Sequence, residues 1–391
     1  GSSSLTRARC SPCPQRPPGL RWLCVATLAL GCASPSLAFA DGPPVARLGD
    51  GAGALRLLPH GEILQDPSQK LTPEQVVQLP GEAFTRSRGG ELGLSNEVFW
   101  FRARVSSEGQ ARGRILAFAG LGAFRNLRVF MVEGGETIGR WEVDPEQPFA
   151  RREMQTPEAA FRVELPADRE VTLVARVQGY GGGLVIDPSL WGYQAYLEGL
   201  QRSQAVILGY YAMVGILALY HLVIFFAVRD RSYLYYAAFF LMTVLMDAAH
   251  TGVAAQTFYA SSPGLSFTTW FVSAFLMCWA MVQFARSALD GAQQAPSFDR
   301  GLAGLAWIMA GLALLSPVLP VKALTAGFMI VSGPGMLACL ALAVICARRG
   351  HVPARLYLWS YVPQVAGVAV ALLVGLGLLH VSDDHVVANL L

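Results

Sequence analysis

Between Val98 and Ile186 the apolar residues fall on every second position. In VFWFRARV, Phe99, Phe101, Ala103 and Val105 share one face, and Trp100, Arg102 and Arg104 share the other. FRVEL repeats the pattern with Phe161, Val163 and Leu165, and VTLVARV with Val171, Leu173, Ala175 and Val177. Successive side chains leave a strand on opposite sides, so this period of two predicts strands with one buried face. Further strands are expected at Ile115 to Ala119, Leu127 to Val132, Arg140 to Val143 and Leu184 to Ile186. Turn-forming clusters separate them, among them Gly134-Gly135, Asp144-Pro145, Pro166-Ala167-Asp168 and Gly181-Gly182-Gly183. Roughly eight short strands with little helix predict an antiparallel, jelly-roll-like sandwich. One helix is expected to begin at Thr72-Pro73-Glu74-Gln75, a capped start with proline in the first turn.

From Gln204 the period changes. Long apolar runs now alternate with short polar turns, and spans are expected near 204–228, 232–249, 266–285, 301–317, 321–347 and 355–380. Most reach the roughly 20 residues that cross about 30 Å of hydrocarbon. Backbone groups in lipid must be satisfied within the segment, so these are helices. Gly333-Pro334-Gly335 and Pro363 are expected to kink the fifth and sixth spans. The final residues, His385 to Leu391, turn apolar again after the acidic turn at Asp383 and Asp384. A seventh helix is expected to start there, with a cytoplasmic output beyond it.

Composition divides the chain the same way. Of 27 acidic residues, 21 lie between Asp41 and Glu198. The chain is 53% hydrophobic and 15% charged, so the excess of apolar residues belongs to the second half. Three regions follow: residues 1–40, a secretory signal and what precedes it; 41–200, an exported β-sandwich; and 201–391, the membrane helices. Arg16 and Arg21, the apolar run Leu23 to Ala33 and the small residues Ala38-Phe39-Ala40 carry the signal pattern. With the sandwich outside, the inner turns hold Arg229, Arg231, Arg286, Arg300, Arg348, Arg349 and Arg355, against only Lys322 in the outer loops. This is the positive-inside asymmetry. Arginine outnumbers lysine 28 to 2 and alanine is abundant, a bias of GC-rich bacterial genomes, so the expected place is a bacterial inner membrane with a periplasmic sandwich. A net charge of +3, dispersed along the chain, gives no nucleic-acid partner. The exported region holds no cysteine and stands on its core alone.

Candidate chemistry is sparse. The exported region has one histidine, His60, and no spacing that suggests a catalytic triad or a metal cage, so no enzyme activity and no cofactor are expected from these residues. Ligand binding fits better: Trp100, Trp141, Tyr180 and Trp191 could stack on sugar rings, with Arg102 supplying hydrogen bonds. The competing reading makes each tryptophan core and each strand arginine a solvated surface group. In AVRDRSYLYYAAFF, Arg229 and Arg231 anchor the inner ends of two spans among anionic lipid. Asp230 braces the turn, and Tyr233, Tyr235 and Tyr236 sit at the interface. That hairpin either relays movement or only fixes topology. Few polar groups occur within the spans, among them Asp247 and His250, late in the second, and His221, late in the first. Asp247 is either functional or simply reaches water. Ala205 and Gly209, four apart on the first span, permit close helix contact.

The sequence from Gly209-Tyr210-Tyr211 through Gly215 and Tyr220 to Arg229-Asp230-Arg231-Ser232-Tyr233-Leu234-Tyr235-Tyr236 resembles the bacterial seven-transmembrane receptors with diverse intracellular signalling modules. Gly252 to Gln256 is similar to that family too. Phe99-Trp100-Phe101-Arg102 and the strands around it resemble the family's type-2 extracellular domain. The resemblance implies a receptor for a small extracytoplasmic ligand, with a sugar as candidate, and a cytosolic diguanylate cyclase, histidine kinase or phosphatase as output; because such outputs act in pairs, it also implies a homodimer. The alternative is a transporter or channel with an exported accessory domain. The midplane of the spans is almost purely apolar, which argues against transport.

The topology is open to a direct check. Reporter fusions after Arg231 and after Arg349 are expected to be active as cytosolic reporters and silent as periplasmic ones. Periplasmic activity at either position would reverse the orientation.

Overall fold

The computed structural model describes residues 44–48, 53–85, 90–94, 97–107, 112–118, 124–144, 148–179, 183–262, 264–361 and 363. The expected signal segment, Tyr180, most of the sixth span and the start of the seventh lie outside them. The amino-terminal part holds strands β1 (Ala46–Leu48), β2 (Ala54–Arg56), β3 (Gly61–Asp66), β4 (Glu91–Leu94), β5 (Val98–Ser107), β6 (Arg112–Phe118), β7 (Phe124–Glu133), β8 (Glu136–Val143), β9 (Ala159–Leu165), β10 (Glu170–Gly179), β11 (Gly183–Val185) and β12 (Pro188–Gly192). Helix α1 (Pro73–Gln78) falls between β3 and β4.

The larger sheet runs β1-β5-β10-β7-β8, with β3 also on β5. The smaller runs β2-β12-β6-β9, and β4 pairs with β11. From β5 to β10 the chain passes back and forth between the two main sheets, apart from the β7–β8 hairpin, which is the wrapping order of a jelly roll. The alternation in the sequence explains the core. Phe99, Phe101, Ala103 and Val105 of β5 and Val171, Leu173, Ala175 and Val177 of β10 meet Leu116, Phe118, Phe161, Val163, Leu165 and Leu190 of the smaller sheet. Face-to-face burial of these side chains is the main driving force for this part.

The other face of the larger sheet is covered as well. Thr72 caps α1 and makes a reciprocal capping box with Gln75, and Pro73 fills the first turn. The helix lays Val76 onto Trp100, Phe130, Val132 and Val174, forming a second, smaller core. Trp100 is therefore buried, only 1% exposed, and its indole Nε1 donates to Asp66 Oδ2 at 3.3 Å. Arg102 is not a solvated surface group. Its guanidinium donates to the carbonyls of Val76, Val77 and Leu79 at 2.9–3.0 Å, pairs with Glu62 at 2.6 Å and lies over the Phe84 ring. The carboxyl-terminal carbonyls of α1, which no helical N–H can reach, are satisfied this way.

The second part begins at α2 (Tyr193–Val228), followed by α3 (Arg231–His250), α4 (Val253–Thr257), α5 (Leu265–Ala288), α6 (Gly291–Gln294), α7 (Pro296–Leu315) and α8 (Val321–Arg348). Five of them, α2, α3, α5, α7 and α8, are long and apolar enough to cross a membrane. Residues 352–361 are helical too. The helical core joins Phe271, Phe275, Cys278 and Val282 of α5 to Leu302, Ala306 and Met309 of α7, Cys339 and Leu342 of α8, and Tyr357. Large apolar side chains on the outer surfaces of α2, α7 and α8, such as Ile216, Trp307 and Ile330, are exposed, as lipid-facing positions are. Pro334 lies inside α8, and Gly335 beside it faces Met309 of α7.

Asp66 gives the sandwich a measurable pH dependence. Burial works to raise its carboxyl, but Ser68, Trp100 and the amides of Leu71 and Gln69 outweigh it and hold the group below its ordinary value of 3.8. A lowered value means the stabilisation is complete above the unfolded-state value and is lost as pH falls through the folded one. Thermal melts followed by tryptophan fluorescence are expected to show stability declining below about pH 4. Asp66→Asn is expected to lose roughly 1–3 kcal/mol at neutral pH and to flatten that decline.

Candidate functional site

The site is built where strand becomes helix. Strand β12 ends at Gly192, and Gly192 is itself the N-cap of α2, so no linker separates sandwich from membrane helix. Helix α2 has 36 residues. At about 1.5 Å per residue it is roughly 54 Å long, against about 30 Å of hydrocarbon. It starts before the expected entry at residue 204, and its first turns stand clear of the apolar layer against the smaller sheet. Tyr196 is buried there among Ile115, Ala117, Met154 and Ala160, with Trp191, Leu197 and Leu200 around it. Trp191 and Tyr196 meet edge to face at 6.3 Å, and the Trp191 indole donates to Ser189 Oγ at 2.9 Å. Arg162 lies over the Tyr193 ring at 5.4 Å. The Tyr196 hydroxyl approaches Glu158 and Thr156 without completing a hydrogen bond of ordinary geometry. Burial raises the Glu158 carboxyl, with the tyrosine acting against it.

A second contact reaches the next outer turn. Gly252, between α3 and α4, has φ +80, and a Cβ built there would stand 2.8 Å from the Pro157 carbonyl. Gln256 Nε2 donates to the Gln155 carbonyl at 3.5 Å. The segment between β8 and β9 thus sits on the outer ends of α3 and α4, while the smaller sheet sits on α2. One turn further into the bundle, Tyr210 donates to Asp247 Oδ2 at 3.2 Å and Tyr211 Oη lies 3.1 Å from Thr251 Oγ1. Asp247 is therefore a cross-link between α2 and α3, and Thr251 also donates to the Asp247 carbonyl.

At the opposite end, Arg229 closes α2 in the left-handed conformation, φ 63. Asp230 caps α3, its Oδ1 accepting from the Ser232 amide at 2.8 Å. The tyrosines that follow turn towards the bundle. Tyr236 stacks on Phe284 at 4.6 Å and meets His221 edge-on at 4.7 Å, Tyr235 meets Trp279 at 5.7 Å, and Tyr233 lies 6.3 Å from His221. Arg231 is exposed. Beside this hairpin, Ser232 donates to Ser287 at 2.9 Å, and Arg286 forks onto Asp299 at 2.8 and 2.9 Å while also reaching Gln283. A Cβ on Gly291 would meet Asp299 Oδ1 at 2.7 Å, so the α5–α7 turn closes tightly over the buried carboxylate. Sequence reading counted Arg286 only as an inner-loop charge. The signal for the pair is an intramembrane-end acid thirteen residues from an arginine, across a Pro-initiated helix start.

Of the sandwich residues singled out as ligand contacts, the described ones, Trp100, Arg102, Trp141 and Trp191, are not brought together. Trp100 and Arg102 lie on the outer face of the larger sheet under α1, and Trp141 packs against the main core from edge strand β8. Trp191 belongs to the helix junction on the smaller sheet.

A β-sandwich seated without a linker on the outer ends of membrane-crossing helices defines a multi-pass membrane protein with an extracellular domain. The 7TM diverse intracellular signalling family model matches residues 203–389, and the 7TMR-DISM extracellular 2 model matches residues 58–192, ending on the N-cap of α2. The chain belongs to the 7TMR-DISM family and is a transmembrane signalling receptor. No curated protein matches it.

The Gly252 contact is directly testable. Gly252→Ala forces an L-residue into left-handed backbone and pushes Cβ into Pro157, which is expected to cost about 1–3 kcal/mol. Disulfide cross-linking between Gln155→Cys and Gln256→Cys is expected to be efficient in the parent and to fall sharply when Gly252→Ala is added.

Proposed function

We propose that this chain is a bacterial inner-membrane receptor whose periplasmic sandwich binds a small solute, with saccharides as the leading class. Its helices pass the resulting change to a cytosolic output of the diguanylate cyclase or histidine kinase kind. The single observation that carries this reading is the double seating of the sandwich. One sheet continues directly into α2, while the β8–β9 segment rests on the α3–α4 turn. A ligand that shifts the β8–β9 segment relative to β12 then shifts α3 relative to α2. Arginines at the turns 229–231, 286–300 and 348–355 favour a cytosolic position for the opposite end, where the Asp230 cap and the Arg286–Asp299 pair would receive the movement. The receptor acts as a homodimer in this reading, α2 offering much of its surface outward.

The test uses the chain in lipid nanodiscs, with a fluorophore at Arg348→Cys and the other cysteines replaced. A panel of neutral and acidic mono- and disaccharides is titrated. At least one is expected to bind saturably, raise the melting temperature of the sandwich and change the emission of the distant label. Binding that leaves the label silent, a panel without a binder, or accumulation of the bound sugar by proteoliposomes would overturn the proposal.

A further inference from the structure

At the end of the bundle opposite the sandwich, two turns meet. Between α5 and α7, Asp290 takes the left-handed conformation, φ 49, and N-caps the short helix α6, its carbonyl accepting from the amides of Gln293 and Gln294. Between α8 and the helix over residues 352–361, Gly350 takes φ +85, and the His351 amide turns back to donate to the Cys346 carbonyl at 3.1 Å. The Cys346 thiol already joins one turn to the other, donating to the Leu289 carbonyl at 3.6 Å. The same fold-back brings the His351 ring beside Asp290, with Nε2 3.8 Å from Oδ2.

That gap is too long for a hydrogen bond and short enough for attraction between charges. The carboxylate is available. An N-cap aspartate ordinarily accepts from the amides of its own helix, and Asp290 makes no such bond. The imidazole is poorly provided for: the side chain is only 18% exposed, and Nε2 is shut off from solvent and completes no hydrogen bond among the described residues. A proton on the ring makes Nε2 a charged donor facing an acceptor-only group. Histidine is the side chain whose charge ordinarily changes in the physiological range. The surrounding charges set the balance. Arg348 and Arg349 end α8 and Arg355 lies one turn into the next helix; all three are exposed, so solvent screens their opposition to the proton. Arg286 and Asp299, beside Gly291, neutralise each other. Cys346 and Tyr357 are engaged with Leu289 and Tyr361. Asp290 is the one uncommitted acid among the described residues here.

We propose that His351 and Asp290 are a proton-operated latch across these two turns. The imidazolium closes onto Oδ2 and ties the α5–α7 connection to the end of α8. The neutral ring lets go, and the thiol contact alone remains. Acid therefore draws the turns together and alkali parts them, the proton coming from the water at that end of the helices and returning to it. Which compartment's acidity is read rests on the orientation given above; the latch itself does not. A receptor built this way takes two inputs, a solute at the sandwich and a proton at the far end.

The experiment uses the whole chain in nanodiscs, with nitroxide labels on the exposed positions Gln293→Cys and Leu356→Cys. Cys10, Cys13, Cys24 and Cys32 are exchanged for serine, and the buried Cys278, Cys339 and Cys346 stay in place. Dipolar coupling between the labels is measured at about pH 5.5 and about pH 8, limits between which histidine changes charge. The short-distance population is expected to rise at least about twofold in acid. His351→Gln and Asp290→Asn are each expected to abolish that rise, and His351→Lys, a cation at both values, to hold the short distance throughout. Asparagine accepts left-handed backbone as aspartate does, so Asp290→Asn keeps the turn and decides the matter even if His351→Gln does not fold. His250→Gln, at the other end of α3, is expected to keep the full rise. No change with pH in the parent, or a rise that survives either His351→Gln or Asp290→Asn, would overturn the latch. A chain that answers to pH while every sugar leaves its inner label silent removes the ligand reading and leaves the latch standing; an answer to sugar without one to pH does the reverse.

Discussion

The peptide bond between Gly192 and Tyr193 joins a strand of the smaller sheet to a membrane helix with nothing in between. Both sides of it are stiff for the same reason. Strand β12 is hydrogen-bonded between β2 and β6, and α2 must keep its backbone groups paired internally wherever lipid surrounds it. Neither side can give way by unravelling a turn. The position of the whole sandwich is therefore tied to the direction of one helix axis, and the burial of Tyr196 against Ile115, Ala117 and Ala160 fixes the rotation about that axis. The contact of Pro157 with Gly252 then places α3 and α4 relative to α2.

The architecture was legible because both of its periods are strong. Alternation in VFWFRARV and VTLVARV dictates strands, unbroken apolar runs dictate spans, and Thr72-Pro73-Glu74-Gln75 caps α1 by purely local chemistry. What alternation cannot reveal is a cover supplied from elsewhere in the chain. Trp100 and Arg102 occupy the face that a one-sided sheet leaves to water, yet α1, more than twenty residues away, lies across it and takes both into its own packing. The start of α2 was hidden for a related reason. Tyr193 to Arg202 is too polar to register as a span, and its helical state follows from docking on the sheet rather than from hydropathy.

Polar pairing inside the helical part was the least legible. Arg286 reads as a topology signal and Asp299 as a helix-start acid, and only the fold of the α5–α7 turn shows them as one buried bidentate pair. Removing either partner of such a pair strands a charge in a poorly hydrated place, whereas replacing both by apolar groups is tolerated far better. Asp247 is similar: its use became evident only once Tyr210, thirty-seven residues earlier, was seen across the helix contact.

The turn at Arg229 and Asp230 has a mechanical corollary. With only those two residues between α2 and α3, the helix ends are pinned side by side. Any displacement imposed where Tyr193 and Gly252 meet the sandwich must swing the two rods about that pin, as the arms of calipers swing about a rivet. Travel is greatest at the sandwich and vanishes at the turn, so what arrives among Tyr236, Phe284 and Ser287 is a change of angle rather than of distance.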